Sequence, residues 1–582
     1  MTDLDDFRIR PGKVRNRGSK GGRRALTLAG QIIQYSLKGG YARGVRRSSG
    51  TGHQARGRRA SLSARSRANN RRVVIKARVV RHGGNRFRAA PLARHIAYLE
   101  RDGVTRDGRD ALMFDAGSEN ADRDAFAERC GDDRHHFRFI VSPENAPEMS
   151  DIRAFTRELM GDMARDLDTG LDWVAVDHWN TDNPHVHILL RGKADNRKDL
   201  VIDKDYIRAG MRARAEARVT IELGPRSKLE IRKALIREVD AERWTSLDRS
   251  LQRMADDNAG VVDLRPGPGL DNLQHPNLLL GRVTKLERLG LADKIAPACW
   301  TLKPGIEITL RDMSIRGDII KTMHRAMSAH EAEPDLSRFA LHSERSAEPV
   351  FGRLVERGLH DELAGSAYAV VDGADGRIHH LRFSDIDMTT DASPGALVEL
   401  RHWTDAKGRE RQSLAVRSDL SLQRQIGADG ATWLDRQLVA KEPIITGDGF
   451  ANEIREAMTA RADQLVARGL ARRQGQQLVF SRAMLDKLQV QEVGDSIGAI
   501  AERTGLAHRP SAVGEYVTGI YRERVTLASG RFAMIDDGIG FQLVPWRPVL
   551  DQHLGQAITG TMNARGGVDW SFGRSRGIGI GI

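Results

Sequence analysis

The chain has 582 residues, a formal net charge of +14 and 40% hydrophobic residues, which suits several soluble domains with ordinary cores. Its two cysteines, Cys130 and Cys299, exclude a disulfide framework and a cysteine-based metal cluster, and they fit a reducing compartment. The sequence has no signal-peptide pattern and no apolar run of the ~20 residues that span a bilayer. We therefore expect a cytoplasmic protein without membrane insertion.

Residues 1–72 carry the whole excess of positive charge, with 19 Lys and Arg against 3 Asp and Glu, while the remaining residues sum to −2. This segment is rich in Gly, Ser and Arg and has little apolar periodicity, so burial cannot offset its chain entropy. We predict a disordered basic arm that attracts nucleic acid without sequence preference. A tail that only improves solubility is the alternative.

From residue 73 onward, apolar and polar residues alternate in several segments, as in half-buried β-strands. The segments 73–80, 137–142 and 185–191 each place apolar side chains on one face and basic or histidine side chains on the other. We predict an α+β fold in which helices cover the apolar face of an antiparallel sheet and the other face is open. That open face would carry Lys76, Arg78, Arg138, His185, His187 and Arg191.

The segment from Asp177 to His187 contains three histidines that can surround one cation. His185 and His187 are two residues apart in a predicted strand, so both imidazoles point the same way. His178 ends the preceding strand-like segment, and residues 181–184 have turn chemistry, so a hairpin would bring it to the pair. With 18 histidines, roughly 0.6 His-x-His pairs arise by chance, so the third histidine carries the weight. Three imidazoles suit Zn²⁺, Mn²⁺, Fe²⁺ or Ni²⁺, and three ligands favour a catalytic site.

The order of three motifs resembles that of conjugative relaxases, the mobilisation nucleases of the histidine-hydrophobe-histidine endonuclease superfamily. The motifs are Tyr98 in an early helix, Ser142 at the end of a strand, and the histidines from His178 to His187. The resemblance covers about residues 73–250 and is greatest to the RlxS plasmid relaxases of the MOB-P type. It implies a relaxase domain that nicks one DNA strand at an origin of transfer.

The resemblance also implies roles for individual residues. Tyr98 would attack the phosphodiester and form a 5′-phosphotyrosine, with Mg²⁺ or Mn²⁺, or alternatively Zn²⁺ or Ni²⁺, held by the histidines. Ser142 would position the DNA, and Asp182 or Asp177 would orient a ligand imidazole. Two positions depart from the family pattern: Asn180 replaces an aspartate and Arg191 an asparagine. Further DNA contacts are expected from Lys76, Arg78, Arg94, Arg138, Arg191 and Lys193.

The expected partners are single-stranded or supercoiled DNA at an origin of transfer, accessory relaxosome proteins and a type IV secretion coupling protein. The protein would act in a bacterial cytoplasm and could travel with the transferred strand. Two alternatives stay open, a rolling-circle replication initiator and a non-catalytic DNA-binding repressor with a structural metal. A covalent protein–DNA adduct would exclude the repressor.

Beyond the nuclease region the sequence indicates smaller modules. Helical patterns over 206–222 and 229–248 contain many arginines, which suit either a grip on single-stranded DNA or a solvated helix face. A helix followed by Gly-Leu and a strand occurs at 286–292 and 465–471, with a looser copy at 354–359, and this order is compatible with winged helices. The predicted domains are a basic arm (1–72), the nuclease domain (73–250), a helical, winged-helix-like module (251–340), a β-rich module (341–440), a helical module (441–515) and a small β-rich module (516–582). The β-rich modules are expected to resemble small barrels.

Overall fold

A computed structural model of the chain describes most of the sequence after residue 68. The described residues are Arg56, 69–81, Leu92, Ile96, 99–100, 105–106, 111–179, 183–266, 275–329, 335–342, 349–405, 408–440, 447–475, 477–564 and 566–572. The chain divides into two compact units. The first contains residues 1–318 and 362–364, and the second contains residues 319–361 and 365–582.

The first unit is built on a four-stranded sheet with the strand order β1-β2-β4-β3. Its strands are β1 (Val73–Arg81), β2 (His135–Pro143), β3 (Trp173–His178) and β4 (His185–Arg191). All neighbouring strands are antiparallel. The prediction of a mixed fold with an antiparallel sheet is therefore confirmed.

One face of this sheet packs against two helices, α2 and α3. The helices of this region are α1 (Arg123–Arg129), α2 (Ile152–Leu167) and α3 (Met211–Leu223). Apolar residues of α2 such as Phe155 and Leu159 meet Ile75, Phe139 and Ile188 of the strands in one core. This is the face that the alternating sequence pattern marks as apolar. The amphipathic sequence of α2 explains why it lies there.

The prediction that the opposite face is open is wrong for β3 and β4. Val174 and Val176 of β3 lie on that face and pack with Leu99, Met113 and Phe126 in a second core. Both faces of β3 are therefore buried, and its sequence is apolar on both sides, as expected for a strand covered twice. The histidine-bearing face is covered next to the histidines themselves.

Arg56 lies within the predicted disordered arm, yet it has defined contacts. It forms a parallel β-bridge with Ile202, and its guanidinium donates to the carbonyls of Leu167 and Asp168 at the C-terminal end of α2. A cation is favourable there because the last carbonyls of a helix have no partner within the helix. The chain is thus fixed to the first unit at this point. The remainder of 1–68 lies outside the described residues.

The helices that follow the sheet are shorter than predicted. The segment predicted as one helix over 229–248 contains α4 (Lys228–Val239) and the start of α5 (Ser246–Asp257). The break occurs because Thr245 and Asp248 form a capping box, which begins a new helix. The arginines of α3 hold it to α2: Arg214 pairs with Asp166 and Arg218 with Asp162. These two arginines have a structural use within the unit.

A module of helices and a β-hairpin occupies the end of the first unit. Its elements are α5, β5 (Val261–Asp263), α6 (Pro276–Arg288), β6 (Ala292–Ala296) and β7 (Cys299–Leu302), with the strand order β5-β7-β6. At its centre is the fully buried Arg282 of α6, which bonds both carboxylate oxygens of Asp248 at 2.7 and 2.9 Å. The same guanidinium donates to the carbonyls of residues 239, 241 and 243. Helix α7 (Ile306–Met327) follows and spans the boundary between the units.

The second unit contains a module with the same pattern of buried hydrogen bonds. Its elements are α8 (Leu422–Ile426), α9 (Trp433–Val439), α10 (Phe450–Ala467), β14 (Ala471–Gln474) and β15 (Gln477–Phe480). The fully buried Arg461 of α10 bonds Asp435 at 2.8 and 2.9 Å, and it donates to the carbonyls of residues 426, 428 and 430. These carbonyls precede Asp435 by nine, seven and five residues, the same offsets that residues 239, 241 and 243 have from Asp248.

The two modules also share the turn from helix to hairpin. Gly290 and Gly469 follow the helix in each, with φ of 71° and 70°, a left-handed conformation that glycine adopts without steric cost. The sequence similarity between 286–292 and 465–471 is therefore matched by the structure. The looser third copy at 354–359 is wrong as a helix, because these residues lie in strand β9 (Phe351–Asp361), which pairs with a strand on each side.

The remaining strands of the second unit form two six-stranded sheets. The first has the order β13-β12-β9-β10-β11-β8 and the second β16-β19-β18-β17-β20-β21. The strands of the first sheet are β8 (Phe339–Leu341), β9 (Phe351–Asp361), β10 (Ser366–Gly373), β11 (Ile378–Phe383), β12 (Leu397–Thr404) and β13 (Glu410–Ser418). Helix α11 (Met484–Thr504) precedes the second sheet, whose strands are β16 (Ala507–His508), β17 (Tyr516–Leu527), β18 (Gly530–Asp536), β19 (Gly540–Pro545), β20 (Ala557–Met562) and β21 (Val568–Ser571).

These sheets correct the expectation of small barrels. Within the described part of the chain each sheet is open, with β13 and β8 as the edges of one and β16 and β21 as the edges of the other. The alternating pattern and the turn residues predict the strands, but closure depends on pairing between the first and last strands, which the local sequence does not specify. Among the described helices, none has the length and apolar character needed to span a bilayer.

Candidate metal centre

The β3–β4 hairpin brings the three histidines together, as the spacing predicts. His178 and His185 are direct partners across the two strands, and Val176 is the partner of His187. The ring centroids of His178 and His187 are 4.4 Å apart, and those of His185 and His187 are 4.9 Å apart. All three residues are almost completely buried, with 0 to 3% exposure.

A fourth side chain, Glu362, joins this group. Its Oε2 lies 3.2 Å from Nε2 of His185 and 2.9 Å from Nε2 of His187, and these two nitrogens are 3.1 Å apart. One candidate ligand atom from each of the four residues lies within 4.8 Å of all the others. Two nitrogens 3.1 Å apart can both lie about 2 Å from one ion, which is the usual metal–imidazole distance. The residues therefore fit a divalent metal.

Hydrogen bonds to backbone carbonyls determine which imidazole nitrogens can coordinate a metal. His185 donates from Nδ1 to the carbonyl of Asn183 at 3.0 Å, so its Nε2 carries the lone pair and faces His187 and Glu362. His178 donates from Nε2 to the carbonyl of Leu99 at 3.0 Å, which leaves Nδ1 as the nitrogen with the lone pair. Such hydrogen bonds orient ligand imidazoles in metal sites. Leu99 directly follows Tyr98 in the sequence.

The carboxylate of Glu362 is held in its charged form by the histidines. Burial alone would raise its pKa, but His187 and His185 hold the pKa well below the usual value for a glutamate. Sequence reasoning missed this residue because it is 177 residues from His185 and belongs to no local motif. A lone glutamate in a turn carries no signal that distinguishes it from the many solvated acids of the chain.

Two of the polar residues predicted near the metal have other contacts. Ser142 is fully buried and donates to the carbonyl of Pro184 at 3.2 Å, so it holds the residue directly before His185. Asp177 points to the opposite face of β3, where it accepts from Arg153 at 2.8 Å and from Trp179 at 2.6 Å. The prediction that Asp177 orients an imidazole is therefore wrong, because adjacent residues of a strand face opposite sides. Tyr98, Asp182 and Arg94 lie outside the described residues.

A strip of basic side chains lies on the same face of the sheet as the histidines. Lys76 pairs with Ile140, which pairs with His187, so Lys76 is two strands and roughly 10 Å from the metal group. Arg78 and Arg138 are direct partners in the adjoining row. Burial, together with Arg78 opposite, lowers the pKa of Arg138 to about 10, so it stays charged near neutral pH. Like charges placed opposite each other are unfavourable unless an anion joins them.

The two remaining cations of the predicted DNA surface take part in ion pairs. Arg191 bonds both carboxylate oxygens of Asp133, at 2.8 and 3.2 Å. Lys193 contacts Asp199 at 2.6 Å. Because each cation has a carboxylate at hydrogen-bond distance, neither offers DNA a full positive charge. Arg78 and Arg138, which face each other across β1 and β2, are the better candidates for phosphate contacts.

The fold and the site define a mixed α/β protein with antiparallel sheets and a buried group of three histidines and a carboxylate that could hold a metal ion. The family whose model matches the chain is described as "Protein of unknown function (DUF3363)", and the match covers residues 279–411 and 401–579. These residues are just over half of the sequence, so the chain belongs to this family. The three histidines precede the matched residues, whereas Glu362 and the second module lie within them. The chain matches no curated protein and no solved structure.

Proposed function

We propose that this chain is a metal-dependent, site- and strand-specific DNA nickase and transesterase that initiates conjugative transfer at a plasmid origin of transfer. The observation that carries the proposal is the convergence of candidate ligand nitrogens of His178, His185 and His187, which the β3–β4 hairpin brings together. A strip of cations on the same sheet face supports it, since a DNA strand needs phosphate contacts beside the metal.

Each of the residues has a separate role in this reaction. The oxygen of Tyr98 loses its proton and attacks phosphorus, and the bond from phosphorus to the 3′ oxygen breaks. The released 3′ oxygen takes up a proton, so the products are a 5′-phosphotyrosine and a free 3′-hydroxyl. A divalent metal bound by the histidines supplies Lewis acidity for the phosphate and so offsets the poor nucleophilicity of a phenol. Lys76, Arg78 and Arg138 bind the phosphates of the strand. Ser142 keeps His185 in place through the carbonyl of Pro184.

The proposed setting is that of a mobilisation protein. Its substrate is single-stranded or supercoiled origin DNA in a bacterial cytoplasm, and its partners are accessory relaxosome proteins and a type IV secretion coupling protein. The two helix-and-hairpin modules are proposed to be winged-helix-like, because helix, helix and wing follow in this order. The hairpin of the second module carries the exposed Arg472, which suits contact with a phosphate backbone.

The test is a denaturing gel of end-labelled, single-stranded origin DNA incubated with the full chain and Mn²⁺. We expect a labelled protein band that requires the metal and is lost in Tyr98→Phe. His187→Ala should also lose the band while retaining most of the salt-sensitive DNA affinity. Arg129→Gln is a matched control, because Arg129 pairs with Asp172 and is not part of the basic strip. No adduct from the wild-type protein on any candidate origin strand would refute the proposal.

A second candidate function is a DNA-binding repressor with a structural metal. The observation that favours it is Glu362, since four protein ligands close the coordination sphere of a metal such as Zn²⁺, as in structural sites. This function predicts a tightly held metal, DNA binding without a covalent adduct, and unfolding on chelation.

A further inference from the structure

The position of Glu362 bears on how the proposed metal site is used, and the following inference rests on that proposed function. A catalytic metal held by three protein ligands keeps a coordination position for substrate. Here the carboxylate oxygen of Glu362 lies within 3.2 Å of two of the three imidazoles, on the side where their lone pairs converge. An ion at bonding distance from both nitrogens would therefore meet this oxygen as well.

Glu362 is also the outermost of the four side chains. It is 17% exposed, compared with 0% for the side chain of His185 and 4% for that of His187. Among the four, it lies towards solvent, the side from which a DNA strand must arrive. It lies in the turn between β9 and β10, where Gly365 donates to the carbonyl of Asp361 at 2.7 Å. Rotation of a turn side chain leaves this backbone bond intact.

A carboxylate oxygen and a phosphate oxygen are similar ligands. Both are anionic oxygen donors, so a phosphodiester can replace the carboxylate without a change in the number of anionic ligands on a divalent ion. The histidines are less easily displaced, because all three are buried and backbone carbonyls fix the ring orientation of His178 and His185. The exchange would therefore involve one ligand out of four.

We propose that Glu362 is an exchangeable fourth ligand, which closes the metal site in the absence of DNA and is displaced by the phosphate that is to be cleaved. The chain thereby holds its metal tightly while idle and admits phosphate only where the strand is also bound by the cations of the sheet. Glu362 is a positioning residue for the metal and sets which anions can reach it.

The test uses Co²⁺ as the metal and inorganic phosphate as the probe, with the full chain. The visible absorption of Co²⁺ reports its coordination number, and titration gives its affinity. We expect Glu362→Ala to bind Co²⁺ at least tenfold more weakly than the wild type, and phosphate to change its spectrum at a concentration at least tenfold lower. Glu362→Gln, which keeps the shape and loses the charge, should lie between the two. Asp361→Asn, at the last residue of β9 before the turn, is the control and should match the wild type.

The possible outcomes lead to different conclusions about Glu362. Unchanged Co²⁺ affinity and phosphate response in both variants would overturn Glu362 as a ligand. A lower affinity without any gain in phosphate binding would overturn the exchange and make Glu362 a permanent structural ligand. If the spectra follow expectation, the nicking rate on origin DNA should rise in Glu362→Gln at saturating Mn²⁺. If the spectra follow expectation but no variant forms a DNA adduct, the ligand exchange stands and the proposed nuclease fails.

Discussion

Loss of the buried ion pair of the second module should destabilise that module. Arg461 and Asp435 are both completely buried, and the guanidinium makes five hydrogen bonds, two to the carboxylate and three to carbonyls. Arg461→Met keeps most of the side-chain volume but leaves a buried carboxylate without its cation. Removing one partner of a buried pair costs about 3–5 kcal/mol.

Other contacts of Asp435 place the expected loss near the lower end of that range. Thr432 still donates to the carboxylate from its backbone nitrogen and its hydroxyl, at 2.8 and 2.9 Å. The carbonyls of residues 426 and 430 lose this donor, whereas Arg468 still donates to the carbonyl of residue 428. We therefore expect a loss of about 3 kcal/mol in the local free energy of unfolding.

Hydrogen exchange of the amides in 422–480 measures this quantity, because a chain of two units need not unfold in one step. A loss of about 3 kcal/mol corresponds to roughly a hundredfold faster exchange in α9 and α10. Arg473→Gln is the control: Arg473 is 58% exposed in its pair with Asp463, and exposed pairs contribute about 0–1 kcal/mol. Less than a fivefold acceleration in Arg461→Met would show that the pair does not hold the module together.

Four further predictions concern the first unit and the sheet of the second. Arg138→Gln should weaken binding to single-stranded DNA and lower the slope of log affinity against log salt by about one, measured by fluorescence anisotropy, and an unchanged slope would remove Arg138 from the DNA surface. Ser142→Ala should weaken Mn²⁺ binding about tenfold in calorimetry, because the carbonyl before His185 loses its donor; equal affinity would show that Pro184 needs no such support. Arg282→Met in the first module should accelerate local amide hydrogen exchange as much as Arg461→Met does in the second. A difference above tenfold would show that the two sets of hydrogen bonds are not equivalent. Burial lowers the pKa of His380 to about 3, so on acidification the unfolded state takes up a proton before the folded state does. The contribution of His380 to stability is therefore complete above about pH 6.5 and falls towards pH 3 by up to roughly 1.4 kcal/mol per pH unit. His380→Phe should reduce this dependence of stability on pH in acid denaturation of the full chain, and an unaltered dependence would refute the prediction.

Much of the candidate site could be predicted from local sequence. The period of a strand places His185 and His187 on one face, and turn chemistry before them predicts the return of the chain to His178. Both conclusions depend on residues within about ten positions of each other, and both are confirmed by the strand pairing. Glu362 could not be found in this way, because its place is set by tertiary packing of a distant segment.

The accuracy of the fold predictions follows the same division between local and distant information. The alternating patterns at 73–80 and 137–142 predict strands β1 and β2, whose pairing the structure confirms. The openness of the histidine face depended on which segments pack onto Val174 and Val176, and the pattern of β3 alone does not say. The predicted helix over 354–359 was wrong because pairing with β10 outweighs helical propensity.

The hydrogen bonds that the two modules share determine which of their residues can change during evolution. The buried arginine recognises the preceding loop through carbonyl oxygens alone, and every residue type has one. Only the arginine, the aspartate and the path of the main chain therefore have to be conserved, while the loop side chains can diverge. Residues 240–244 and 427–431 share only one identity at matched positions, Ala241 with Ala428, although they trace equivalent paths. A transplant of one loop into the other copy should be tolerated wherever its side chains do not reach the core.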